Sequence, residues 1–160
     1  MLIEILCTGD EILTGKTINT NYSHMARRFG EVGLTMHWST AVGDDRSSLT
    51  RAFQQAAERA DVVIVNGGLG PTVDDLSQEV AAEVAGVQLI LDEDWLSRML
   101  DFYERRGRTM PPNNKKQAML PEGAEFIDNP IGTACGFAIN IGKTRFFFTP
   151  GVPREMRRMI

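Results

Sequence analysis

A chain of 160 residues, 42% apolar and 24% charged, has the size and composition of one globular domain with a proper buried core. Its formal charge of -4 and pI of about 5.2 give no basic surface for a nucleic-acid backbone or an anionic lipid leaflet. No apolar stretch approaches the roughly 20 residues needed to span a bilayer, no basic-then-apolar signal run opens the chain, and Cys7 and Cys135 lack framework spacing, so the cytoplasm is the expected location.

In chain order, Ile3, Ile5 and Cys7 form a short apolar run that stops at Thr8-Gly9-Asp10, the pattern of a buried strand ending in a turn. Ile18, Tyr22, Met25, Phe29 and Val32 keep a helical period up to Gly33, and residues 34–42 read as extended. Asp45 is expected to cap a helix whose stripe is Leu49, Ala52, Phe53 and Ala56. The β-branched run Asp61-Val62-Val63-Ile64-Val65 suits a strand buried on both faces. Leu76, Val80 and Val84 before Gly86 predict a third helix, and Trp95, Met99 and Phe102 before Gly107 a fourth.

After Gly107 the prolines Pro111, Pro112 and Pro121 break the pattern. Segments 136–141 and 144–149 flank Gly142-Lys143 as a hairpin, and Pro153 opens a closing helix. Strands alternating with helices and then a hairpin predict an α/β fold with a mostly parallel, mixed sheet, and without repeats or a linker residues 1–160 read as a single domain.

The sharpest chemical signal is Gly67-Gly68-Leu69-Gly70-Pro71-Thr72-Val73-Asp74-Asp75, between the most apolar strand and a helix. Ligands of open α/β sheets bind beyond the carboxyl ends of strands, and glycines there let backbone N–H groups approach a phosphate. Asp74 and Asp75 supply oxygen ligands for Mg²⁺, which would bridge to the phosphate. A capping box is the structural alternative: Thr72 capping the helix, with Asp75 reaching back to the Thr72 N–H.

Glu11 after the first strand, Asp44 after the second and the Pro150-Gly151 turn after the last would reach the same rim if the strands are parallel. Asn114 and Lys115 supply donors, and Gly132 and Thr133 a pliable loop. The clusters Arg105-Arg106-Gly107-Arg108 and Arg154 to Arg158 can serve an anion locally, although cations at a solvated helix end explain the first. His24 and His37 lie on an amphipathic helix and a strand and support neither zinc nor a catalytic triad, Cys135 has no base beside it, and no Gly-Lys-Ser/Thr follows Gly70.

The ordered set Thr8-Gly9-Asp10-Glu11-Ile12-Leu13-x-Gly15, Asn21, Val42-Gly43-Asp44, Gly67 to Asp75, Asn114 with Lys116-Gln117-Ala118, Asn129-x-x-Gly132-Thr133-Ala134 and Pro150-Gly151-Val152-Pro153 resembles the N-terminal domain of the CinA (competence/damage-inducible) family, in its YfaY-type CinA-like branch. The resemblance covers essentially the whole chain. It implies the molybdopterin-binding fold of MoaB, MogA and the central domain of MoeA, a three-layer α/β/α sandwich, with the glycine loop, Asp75 and Asp44 at the ligand site.

It further implies hydrolysis of ADP-ribose to AMP and ribose 5-phosphate, dependent on a divalent metal (Mg²⁺, Mn²⁺ or Co²⁺) and no organic cofactor. In that reading Asp74 and Asp75 hold the metal, and Asp75, Asp44 and Glu11 are catalytic. Gly67, Gly68, Gly70, Pro71, Thr72, Asn114, Lys115, Gly132, Thr133, Pro150 and Gly151 are then the ligand-binding positions. The alternatives are a pterin-binding or pterin-adenylylating domain and a non-catalytic oligomerisation module. A homo-oligomer is expected because relatives assemble, and nicotinamide mononucleotide deamidase activity belongs to a separate C-terminal domain outside these residues. Two positions depart from the family pattern: Ser77 replaces a usual Thr, and Cys135 a usual Pro.

Overall fold

The computed structural model describes residues 1–160 and orders the sheet as six strands, β2-β1-β3-β8-β7-β6. Strands β1 (Ile3–Thr8), β2 (Trp38–Val42), β3 (Val62–Asn66) and β8 (Thr144–Thr149) are parallel, while β7 (Gly136–Ile141) pairs antiparallel with β8 and β6 (Glu125–Ile127) antiparallel with β7. A second, two-stranded sheet pairs β4 (Leu89–Leu91) with β5 (Met119–Pro121). The helices are α1 (Asp10–Leu13), α2 (Thr20–Glu31), α3 (Arg46–Arg59), α4 (Ser77–Ala85), α5 (Glu93–Glu104) and α6 (Pro153–Met159), with a 3-10 helix over Pro112–Ala118. None of them is long and apolar enough to cross a membrane.

Side chains alternate across a strand, and that alternation divides the core. Ile3, Ile5, Cys7 and Ile64 pack with Met25 of α2 and Met156 of α6 on one face. Leu6, Val63 and Val65 point to the other face, where Leu49, Phe53 and Ala56 of α3, Val80 of α4 and Met99 of α5 meet Phe137, Phe146 and Phe148. The two apolar faces of one sheet therefore require helices on both sides, and the result is the three-layer α/β/α sandwich with a mostly parallel sheet. Phe137 stacks on Phe148 at 4.3 Å between centroids and Phe53 meets Phe148 edge-on at 5.6 Å, which locks the hairpin onto α3.

One charge lies inside this sheet. Glu4 is fully buried, and Arg59 Nε reaches its Oε2 at 2.8 Å and Arg59 Nη2 its Oε1 at 2.5 Å, with Thr40 Oγ1 donating to the same Oε1 at 2.5 Å. Such a bidentate, additionally hydrogen-bonded pair is the geometry that offsets desolvation of a carboxylate.

The register sets the site. Thr8 pairs with Val42, Cys7 with Asn66 and Asn66 with Thr149, so four parallel strands end at one level. Two bonds carry the ladders one residue further: Gly9 N–H to Val42 O at 3.0 Å and Gly67 N–H to Thr149 O at 2.9 Å.

One capping expectation holds and three others are revised. Asp45 caps α3 through Ser48 N–H at 2.9 Å, and its carboxyl is held down to about 2 by the Ser47 and Ser48 bonds. The stripe on α2 is shorter than its period suggests: Ile18 and Val32 are 83% and 71% exposed, outside the helix at either end. Thr72 does not cap α4, which begins five residues later with Leu76 at its N-cap and no side-chain cap. The polar segment around Asn114 is a 3-10 helix rather than an open loop.

Candidate functional site

Beyond the carboxyl ends of β1, β2, β3 and β8 lies a cleft of about 450 Å³. It is lined by Glu11 and Asp44, by the loop residues Gly67, Gly68, Leu69, Gly70 and Pro71, by Asp74 and Asp75, by Thr133 and by Pro150 and Gly151. Parallel pairing explains the convergence, because each of these loops leaves its strand in the same direction.

The loop after β3 needs its first two glycines. Gly67 has φ 112° and Gly68 φ 71°, conformations that side chains with a Cβ avoid, and a Cβ on Gly67 would meet the Thr8 carbonyl oxygen at 3.0 Å. Ser77 ties the loop to α4: its hydroxyl donates to Gly67 O at 2.9 Å and its N–H to Gly68 O at 3.1 Å. The usual Thr is thus replaced without loss of that bond. The N–H groups of Gly68, Leu69 and Gly70 donate to nothing in the chain. Three consecutive amides on the wall of the cleft are thus without a partner in the chain.

The acids around it are held differently. Asp75 Oδ2 accepts from Thr72 N–H at 2.9 Å and Thr72 Oγ1 at 2.6 Å, and it lies where a Cβ on Gly70 would be 2.5 Å away. The reach-back bond of a capping box therefore exists, but it closes a turn instead of capping a helix. Asp10 and Asp44 exchange bonds: Asp10 N–H to Asp44 Oδ2 at 3.1 Å, and Asp44 N–H to Asp10 Oδ1 at 3.2 Å. Burial pushes the Asp44 carboxyl above its ordinary range; the Asp10 N–H works against that rise, and the charges of Asp10, Glu11 and Asp75 add to it.

Four expected positions fall outside the lining. Asn114 is buried behind it, donating to Gln117 Oε1 at 3.0 Å and Tyr103 OH at 2.9 Å. Lys115 is exposed on the 3-10 helix, whose rigid turn points Lys116 instead toward the loop, Nζ to Thr72 O at 2.9 Å. Thr72 lies beside the cleft, bonded to Asp75, and Gly132 lines a neighbouring one.

Among the lining residues outside the expected site positions, three have polar side chains with distinctive surroundings. Thr8 is 6% exposed with its hydroxyl unpartnered, a buried polar atom waiting for an acceptor or donor. Gln117 is a hub: Nε2 donates to Leu69 O at 3.2 Å, while Oε1 accepts from Asn114 and, at 3.0 Å, from Thr133 Oγ1. Glu155 of α6 accepts from Asn129 Nδ2 at 2.7 Å and forms the wall toward the Gly132 side. Thr8 and Gln117 belong to the ordered family set, which marks their positions without giving them a role; Glu155 stands out only through its tertiary partners.

Cys135 packs behind this wall, its thiol 3.9 Å from Gln117 O and pushed up to about 12, mainly by burial. It is no nucleophile. Cys7 is buried as well, and both thiols are expected to resist an aromatic disulfide reagent in the native protein and to react fully in denaturant; prompt native reaction at Cys135 would contradict this packing.

Residues 4–160 match the family described as "Probable molybdopterin binding domain". The chain belongs to that family. A crystal structure of the protein CinA from Thermoplasma acidophilum superposes with a TM-score of 0.87 at 35% identity, covering 98% of this chain and 91% of that one, so membership extends to the CinA kind. The "NMN amidohydrolase-like protein YfaY" of Escherichia coli K12 is 48% identical over 158 residues, and the chain spans 40% of its length. The molybdopterin biosynthesis enzyme MoaB of Thermus thermophilus shares the fold, with a TM-score of 0.62 at 19% identity.

Proposed function

We infer that the cleft binds a nucleoside diphosphate through the Gly68–Gly70 amides and hydrolyses it with the help of a divalent cation, with ADP-ribose as the substrate. The observation that carries this reading is an electrostatic mismatch. Three free amides call for an anion, yet the lining holds Glu11, Asp44, Asp74, Asp75 and Glu155 and not one Lys, Arg or His. A hard divalent cation between carboxylate and phosphate reconciles the two.

The donor set suits Mg²⁺ or a similar ion. No three His, Cys, Asp or Glu side chains converge to hold a metal by themselves. Mg²⁺ needs no such cage, since it commonly takes one or two carboxylates and completes its shell with waters and phosphate oxygens. Asp75 and Asp74 would hold it; Asp75 keeps Oδ1 free of the Thr72 bonds. The bound cation would polarise a phosphoryl oxygen and offset the charge that develops there.

The remaining steps fall to the chain. The amides hold one phosphate in place. Asp44, whose raised carboxyl is the better proton acceptor, takes the proton of the attacking water, with Glu11 beside it orienting that water. Water oxygen bonds to phosphorus, the bridging P–O bond breaks, and AMP and ribose 5-phosphate leave. The amidohydrolase-like name of YfaY belongs to a protein more than twice this length and is not extended to this cleft, where the neighbouring thiol is buried.

The family description favours a second reading, in which the same loop binds or adenylylates a pterin without hydrolysing ADP-ribose. ³¹P NMR of ADP-ribose incubated with the protein and Mg²⁺, Mn²⁺ or Co²⁺ separates the two. AMP and ribose 5-phosphate resonances are expected; a diphosphate signal unchanged with every metal overturns the hydrolase reading and makes pterin titration decisive.

A further inference from the structure

The larger cleft of the molecule is not the glycine cleft but its neighbour, about 610 Å³, between α5, the 129–132 loop and the start of α6. Its charge is the reverse of the first. Arg98, Arg105, Arg106 and Arg154 line it against two carboxylates, Asp101 and Glu155, in a chain whose net charge is -4. Members of the two basic clusters of the sequence, Arg105 and Arg106 from the first and Arg154 from the second, meet here.

Two of the arginines are set in place. The Arg98 guanidinium lies over the Trp95 ring at 4.8 Å and bonds Asp128 at 2.8 Å; that of Arg106 lies over Phe102 at 3.5 Å and donates to Phe102 O at 3.1 Å. A guanidinium stacked on an aromatic face has lost its rotamer freedom before any ligand arrives, and its remaining N–H groups are presented at a reduced entropic cost. Arg105 and Arg154 make no ion pair at all.

Cations at the end of a helix are ordinarily explained by its dipole, and Arg105 and Arg106 at the end of α5 fit that explanation. Arg154 does not. It sits exposed in the first turn of α6, where the dipole does not favour a positive charge, so that explanation does not account for it.

We propose that this arginine cleft is a second anion site, taking a phosphate group. It is contiguous with the glycine cleft: Val152 and Glu155 line both, and Gly132 on one side adjoins Thr133 on the other. A phosphate here is either the far end of the molecule seated in the glycine cleft or a separate phosphate; the first source rests on the nucleoside diphosphate reading above, the second does not.

The test uses the reporter the site contains. Trp95 and Trp38 are the only tryptophans, so a Trp38→Phe protein keeps a single indole, on the wall of the arginine cleft and bonded through Nε1 to Thr133 O at 3.0 Å, and the arginine variant below separates a response to this cleft from one passed on from the glycine cleft. Inorganic phosphate and, separately, AMP are titrated against its fluorescence, with adenosine as the uncharged control. Saturable change with both phosphates and none with adenosine is expected. In Arg105→Gln/Arg154→Gln, which removes two exposed, unpaired side chains and should leave the unfolding temperature unchanged, apparent affinity should fall at least about tenfold.

ADP-ribose competing with inorganic phosphate for the Trp95 response assigns the site to the far end of one ligand. Both binding together assigns it to a separate phosphate. Either supports the site, and neither depends on turnover. Equal phosphate affinity in the double variant and its parent, or no Trp95 response to any phosphate, overturns it.

Discussion

Asp75→Ala should lower ADP-ribose hydrolysis by at least about 100-fold, the usual scale for removing a group that acts on the reacting phosphate. The difficulty is that Asp75 also shapes the loop. Its Oδ2 accepts two bonds from Thr72, so truncation both removes a charge and leaves the Thr72 N–H and hydroxyl without their acceptor, a loss of about 1–2 kcal/mol. Loss of activity in the alanine variant would therefore not separate the two roles.

Asp75→Asn does. The amide keeps an oxygen for Thr72 and the space beside Gly70, and it loses only the charge needed to hold a cation. Thr72→Ala is the complement, removing the hydroxyl bond while keeping the carboxylate and the backbone donor. If the carboxylate acts on the cation, Asp75→Asn should be as inactive as Asp75→Ala, and Thr72→Ala should stay within about tenfold of wild type. Near-normal turnover in Asp75→Asn at saturating Mg²⁺ would reduce Asp75 to a loop-closing residue and sink its assignment as a ligand.

The parts of this molecule that the sequence makes readable are those governed by a local rule. A β-branched run between helices becomes β3, Asp45 caps α3, and Gly142-Lys143 turns the β7–β8 hairpin, because each depends on a few neighbouring residues. The placement of the site follows from one further step: if the strands are parallel, their following loops share a rim. That step alone brings Glu11, Asp44, the glycine loop and Pro150-Gly151 to one cleft.

What the sequence hides is set by contacts across long separations. Strands β4 and β5 are three residues each and exist because Leu89–Leu91 finds Met119–Pro121. Asn114 and Lys115 offer the same donors on paper, but the 3-10 turn buries one against Tyr103 and exposes the other. Glu155 carries no local signal in the sequence and lines both clefts, which are of opposite charge. The arginines were visible as clusters; their convergence was not, because it depends on how α5 and α6 approach the 129–132 loop.

Asn66→Ala should be among the most destabilising single changes near the site, by about 2–4 kcal/mol, since it strands several buried polar groups at once. Asn66 is the last residue of β3 and 3% exposed. Its Nδ2 donates to Thr149 Oγ1 at 3.0 Å and Pro150 O at 2.7 Å, and its Oδ1 accepts from Asn21 Nδ2 at 2.8 Å. Asn21 in turn donates to Gly151 O at 2.8 Å, so two amides clamp the turn after β8 to α2 directly under the cleft floor. Because they share partners, Asn21→Ala and Asn66→Ala should not add: denaturant unfolding of both singles and the double should reveal a coupling of about 1 kcal/mol or more. The same clamp fixes Pro150 and Gly151 on the cleft wall, so phosphate affinity should fall in both singles even where the protein remains folded. Strictly additive energies, or unchanged affinity in a folded Asn66→Ala protein, would mean that the turn after β8 keeps its position without these amides.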